Sequence, residues 1–201
     1  MIITLLDHGA GNVTSVERAL QRLGADSQRT KSAEALAKAE AIILPGVGHY
    51  SALIRALDQQ NLRAPLVDAI HRRVPFLGIC LGLQALFQSS EEAPELQGLS
   101  VLPGRICALP SNVKLPHMGW NQLARDKESR LLTGIDPNSH FYFAHSFAAT
   151  DSELFSTATS VHGTKFAAVI EHKNIHAVQF HPEKSGEPGS RLLRNFLKLV
   201  A

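Results

Sequence analysis

A chain of 201 residues, 44% of them hydrophobic, can bury a core without a disulfide or metal staple, and a single domain over 1–201 is expected. Lys and Arg number 20 against 18 Asp and Glu. That balance disfavours a nucleic-acid binder working by charge, and no basic run marks a membrane surface. Two cysteines, Cys80 and Cys107, make no disulfide scaffold. The short apolar start lacks the basic flank of a signal peptide, and no stretch approaches the ~18 apolar residues of a membrane span, so a cytoplasmic protein is expected.

Residues 2–6 form a continuous apolar run, the mark of a strand buried on both faces. Gly9-Ala10-Gly11-Asn12 turns, and Val13, Val16, Ala19, Leu20 and Leu23 then recur at helical spacing until Gly24. Thr14 and Glu17 fit a capping box at the start of that helix. Residues 41–44 read as a second buried strand, ended by Pro45-Gly46-Val47-Gly48. Residues 50–62 read as helix, with Pro65 suited to the first turn of the next. A strand over 74–79 and a helical stretch over 81–87 continue the alternation, which predicts a doubly wound parallel sheet. The second half has short strands over 99–109, 140–143, 154–159, 166–171 and 175–180, the last two flanking a hairpin turn at His172-Lys173-Asn174. A helix over 191–200 closes the chain. The expected class is α/β, with a mostly parallel, mixed central sheet and helices on both faces.

The densest signal is Phe76-Leu77-Gly78-Ile79-Cys80-Leu81-Gly82-Leu83-Gln84. An apolar strand runs into a cysteine with glycine two before and two after, and a helix follows. That is nucleophile-elbow logic with Cys in place of Ser. Glycines remove the Cβ atoms that would clash with the cramped turn. Such a turn sets the sulfur at a helix N-terminus and aims the Leu81 N–H at charge developing on an attacked carbonyl. A free cysteine is otherwise a small buried hydrophobe. Cys107 has no such context and reads as core.

A thiol nucleophile needs a base. Of ten histidines, His181 has the most suggestive setting, Gln179-Phe180-His181-Pro182-Glu183 after a strand. Glu183 can orient one ring nitrogen and leave the other for sulfur. The alternative is an ordinary polar strand end. His172 and His176 have the spacing of a zinc pair, but they flank a turn and lack a third ligand, so no metal or cofactor is expected. Gly9-Ala10-Gly11 begins like a dinucleotide fingerprint, yet Thr14 stands where its third glycine belongs. The glycines of Pro45-Gly46-Val47-Gly48 let backbone N–H groups approach an oxyanion, or simply make a turn. A different hydrolase or redox protein on this fold, or a nucleotide-binding module with an inert cysteine, stays open on the residues alone.

Taken together, Gly78-Ile79-Cys80-Leu81-Gly82-Leu83-Gln84 and the later His181-Pro182-Glu183 resemble the triad-type, class I glutamine amidotransferases over the full length. Asp7-His8-Gly9-Ala10-Gly11-Asn12, Pro116-His117-Met118-Gly119-Trp120-Asn121 and Tyr142-Phe143-Ala144-His145-Ser146 resemble the branch serving histidine biosynthesis. His8 departs from the tyrosine expected there. The branches serving anthranilate, GMP or pyridoxal phosphate synthesis are the alternative, although they usually carry a second glycine where Val47 stands. The resemblance implies glutamine hydrolysis by a Cys80, His181, Glu183 triad, with Leu81, Gly46 and Val47 supplying oxyanion donors and Gly48, Gln84, Ser146 and Phe147 holding glutamine. It further implies a heterodimer in which ammonia passes to a cyclase subunit, a (β/α)8 barrel that makes imidazole glycerol phosphate and an aminoimidazole carboxamide ribonucleotide. Asn12, His117, Trp120 and Lys184 are then expected to face that partner. A tryptophan's ordinary place is the core, whereas an exposed Trp120 would suit an interface anchor.

Overall fold

A computed structural model describes residues 1–9, 12–150 and 154–200. The first half contains β1 (Ile3–Leu6), α1 (Val13–Arg22), β2 (Ser27–Thr30), α2 (Ala33–Ala37), β3 (Ala41–Gly46), α3 (Tyr50–Gln59), α4 (Arg63–His71), β4 (Phe76–Cys80) and α5 (Leu81–Gln84). The second half adds β5 (Ser89–Ser90), β6 (Arg105–Ala108), β7 (His117–Gln122), β8 (Ala124–Arg125), β9 (His140–His145), β10 (Phe147–Ala148), β11 (Ser156–His162), β12 (Thr164–His172) and β13 (Ile175–Val178). A 3₁₀ turn, Pro182–Lys184, and α6 (Gly186–Val200) complete it. Among the described residues no helix is long and apolar enough to cross a membrane.

Eight strands make the main sheet, in the order β2-β1-β3-β4-β13-β12-β11-β8. Neighbours from β2 to β13 are parallel, and the remaining three pairs are antiparallel. The apolar runs are uninterrupted because both faces are covered. Ile3, Leu5 and Ile43 pack with Val13, Val16 and Leu20 of α1 and Leu192, Leu193 and Phe196 of α6. Leu6, Ile42 and Leu44 pack on the other face with Tyr50, Leu53 and Leu57 of α3 and Leu66 and Ile70 of α4. Two small sheets, β10-β6-β5 and β7-β9, stand beside the main one.

Several local expectations change. β2 carries no apolar residue and α2 is only five residues long with Leu36 its one buried side chain, so neither is read from sequence; β2 is an edge strand that exposes Gln28 and Arg29. Thr14 and Glu17 do not form a capping box. Asn12 precedes α1 without a side-chain cap, and both candidate groups bind Arg29 on β2 instead, Nε lying 3.1 Å from Glu17 Oε2 and a terminal nitrogen 3.0 Å from Thr14 Oγ1. The 50–62 helix ends at Gln59, short of Asn61, which has φ +54°, and the next helix holds Pro65 in its first turn as expected. The 81–87 stretch keeps only one turn of helix, and of 99–109 only Arg105–Ala108 pairs as strand. The last helix begins five positions early, with Pro188 in its first turn. The 172–174 hairpin forms, His172 facing Ile175 across a two-residue turn. Of the Gly9-Ala10-Gly11 turn, Ala10 and Gly11 lie outside the described residues.

Candidate active site

β4 passes into α5 at Cys80 with no intervening residue. Cys80 has φ +55° and ψ −105°, a conformation that costs a non-glycine residue roughly 1–3 kcal/mol. Three glycines let the surroundings enforce it. A Cβ at Gly78 would lie 2.6 Å from Gly82 O, and one at Gly82 would lie 1.9 Å from Leu44 O. One at Gly46 would meet Leu81 Cβ at 2.6 Å. Gly46 is the buried end of β3, paired with Cys80, so its lack of a side chain serves close packing. Gly48 has open space around it but φ +95°, the left-handed region glycine tolerates.

β13 lies parallel to β4, with Val178 opposite Ile79. The chain leaving β13 therefore passes the carboxyl end of β4, where open α/β sheets build their sites. His181 N donates to Tyr142 O at 2.8 Å, and Ser185 Oγ donates to His181 O at 2.6 Å. With its backbone held so, the imidazole donates from Nδ1 to Glu183 Oε1 at 2.9 Å, the side chains being 2% and 1% exposed. Nε2 is left for Cys80, which lines the same cavity as the ring. Burial works against a charged ring, but Cys80, and then Glu183, push the His181 pKa up to about 10. The site thus favours an imidazolium beside the sulfur, the pairing an attacking thiolate needs.

The sulfur opens into a cavity of about 230 Å³. Its wall brings together Val47, Gly48, Leu81, Gln84, Ser146 and Phe147, all singled out from the sequence. Gly46 and Glu183 are not among its lining residues, although Glu183 is bonded to His181, which is. Glu92, Ala144 and His145 also line it, and none was foreseen. Glu92 belongs to no motif, and Ala144 and His145 stand in the Tyr142-Phe143-Ala144-His145-Ser146 motif, in which the resemblance gives neither a role. Gln179, wholly buried, was read only as part of the His181 segment, yet its Nε2 is 3.6 Å from Cys80 Sγ. A larger open cleft, about 600 Å³, lies over β1, β2 and α2 and includes none of the triad.

Near the site mouth, Trp120 is 57% exposed on β7, contrary to a tryptophan's usual place in the core. Its ring meets Tyr142 edge-on at 5.8 Å, and Lys184 Nζ stands 5.7 Å from the centre of the same Tyr142 ring. Asn12 is half-buried and Lys184 exposed. His117 corrects an expectation. It is buried, stacked between Phe143 and His162, and bonded through Nδ1 to His145 Nε2 at 3.0 Å. Strand alternation explains this, because Met118 and Trp120 face outward in turn from Gly119 and His117. His117 therefore presents no surface to a partner.

The family model for class-I glutamine amidotransferases matches residues 4–200. The imidazole glycerol phosphate synthase subunit HisH of Methanothermobacter thermautotrophicus is 44% identical over 199 residues, covering 99% of each chain. The protein of the same name from Moorella thermoacetica is 43% identical, covering 98% of this chain and 95% of its own. Among solved structures, one described as a glutamine amidotransferase superposes with a TM-score of 0.80 at 20% identity, covering 100% of this chain and 99% of the other. PurLQS from Thermotoga maritima gives 0.75 at 18%, with the same coverage. At those identities the two structures bear on the fold alone.

Proposed function

The chain belongs to the class-I glutamine amidotransferases, and we propose that it is the glutaminase subunit of an imidazole glycerol phosphate synthase. It acts in the cytoplasm as one domain over 1–201 and passes ammonia to a (β/α)8 cyclase partner. The observation that carries the reaction is the elbow cysteine sharing one cavity with a buried His181 that Glu183 orients.

The chemistry follows from that geometry. Cys80 Sγ attacks the side-chain amide carbon of glutamine, and the carbonyl electrons move onto oxygen. The N–H groups of Leu81 and of the Gly46–Val47 segment hold that oxyanion. His181 gives its proton to the amide nitrogen, which leaves as ammonia with collapse to a thioester. Water then attacks the thioester while His181 takes its proton, and glutamate departs with the sulfur restored. Gln84, Gly48, Ser146 and Phe147 hold the substrate. Glu92, the acidic side chain of the cavity wall, suits its ammonium. Trp120, Lys184 and Asn12 face the cyclase, where Trp120 and the exposed Met118 supply apolar area.

The test is synthase activity of the chain mixed with a (β/α)8 cyclase subunit. Product formation from glutamine is expected, and Cys80→Ala should abolish it while external ammonia still supports synthesis. Near-normal glutamine use by Cys80→Ala overturns the triad. Complementation of an anthranilate, GMP or pyridoxal phosphate synthase instead would move the chain to another branch.

A further inference from the structure

Behind the nucleophile runs a buried polar chain whose direction is set from one end. The Phe147 carbonyl can only accept, so the atom of the Gln84 amide facing it at 2.8 Å is the nitrogen. The second hydrogen of that nitrogen reaches Gln179 Oε1 at 3.2 Å. The other end of the Gln179 amide is then Nε2, facing Cys80 Sγ at 3.6 Å. Turning either amide over would oppose two donors or two acceptors. The Phe147 carbonyl is itself held by a second donor, His145 Nδ1 at 3.0 Å.

The sulfur has a different polar neighbour in Ala144 O, 3.9 Å away. A thiol can donate its proton to that carbonyl. A thiolate has nothing to donate and gains only from an N–H. Gln179 is 0% exposed, so water does not compete for its amide.

We propose that Gln179 belongs to the nucleophile's machinery: its amide N–H donates to the Cys80 sulfur, favouring the thiolate and fixing its aim, with Gln84 and the Phe147 carbonyl setting the polarity. This deepens the reading of Cys80 as the attacking group. His181 serves the sulfur from the side that takes and returns the proton, and Gln179 from the side that never does. The cysteine's negative charge thus has a fixed dipole that needs no reorganisation during the reaction.

The experiment is alkylation of Cys80 by iodoacetamide as a function of pH, with the Cys80 and Cys107 peptides resolved by mass spectrometry. Gln179→Met removes the donor at similar volume. Gln179→Glu keeps the acceptor for Gln84 and presents oxygen to sulfur. Both should slow Cys80 alkylation several-fold at neutral pH while leaving Cys107 unchanged, with the larger effect in Gln179→Glu. In the complex kcat for glutamine should fall roughly tenfold or more, with KM little changed. A lowered melting temperature with a wild-type alkylation profile in either folded variant overturns the proposal, since that pattern marks a packing role alone. The alkylation profile does not depend on which substrate the enzyme uses. A wild-type complex inactive on glutamine would therefore count against the proposed function and leave this result to stand or fall separately.

Discussion

A side chain at Gly82 would begin 1.9 Å from the carbonyl oxygen of Leu44, so α5 can start directly beneath the nucleophile only because residue 82 has none. The obstacle is backbone of β3, which the ladder to β4 holds in place. Gly82→Ala should cost at least about 3 kcal/mol, at or beyond the upper end of ordinary overpacking. Gly48→Ala meets no atom within 4 Å and carries only the strain of its positive φ, roughly 1–2 kcal/mol. Urea denaturation compares them directly. Equal midpoints would mean that close approach is not what forms the elbow.

Glu183→Gln should leave the fold and KM nearly intact while lowering kcat by roughly 10²–10⁴, the usual worth of a positioned acid–base group. The neutral amide can accept from His181 Nδ1, but it no longer favours the charged ring. Wild-type His181 is held protonated up to about pH 10 by Cys80 and then Glu183. With one of those causes gone, the alkaline limb of the kcat profile should move to lower pH. An unmoved limb would show that Glu183 does not govern the charge on His181.

His117 and His145 make an acid-sensitive element. The Phe147 carbonyl fixes the proton of His145 on Nδ1, so neutral His145 accepts at Nε2 and His117 donates. Burial pushes His145 down to about 3, and burial and then His162 push His117 down to about 4. Below the unfolded value of 6.5 the unfolded chain takes up protons that the folded chain refuses. Melting temperature should therefore fall as pH drops from about 6.5 toward 4. His117→Asn, which offers a donor near the same point without titrating, should flatten that decline. Parallel curves for the two proteins would assign the acid sensitivity elsewhere.

Trp120→Ala should weaken docking to the cyclase subunit by about 2 kcal/mol or more, the effect of a buried aromatic anchor. Isolated stability should scarcely change, because more than half of the side chain is already in water. Titration calorimetry of the two subunits measures the first and thermal melting the second. Unchanged affinity would remove β7 from the interface.

Much of this site was legible because its requirements are local. Gly78 precedes Cys80 because the Gly82 carbonyl four residues on leaves no room for a Cβ, an exclusion contained within the motif, whereas Gly82 is excluded a side chain by Leu44 on β3. Glu183 beside His181 is likewise a two-residue relationship. The apolar runs of β1 and β3 announce burial on both faces without saying which helix covers which face.

By itself, then, the sequence determined the strand–helix alternation, the elbow and the pairing of His181 with Glu183, because hydrophobic period, the exclusion at Gly78 and short-range hydrogen bonding act between near neighbours. Only the tertiary structure decided what lies next to what across the sheet. β13 beside β4 brings His181, with Glu183 behind it, to the cavity that holds the sulfur. The β7–β9 register faces His117 with His145 and buries it, while the same strand turns Trp120 outward. Gln179 meets Cys80 across 99 positions of chain. Such contacts form between strands that are distant in sequence, and their residues carry no local mark, since an amide that sets a sulfur's surroundings looks in sequence like any other glutamine.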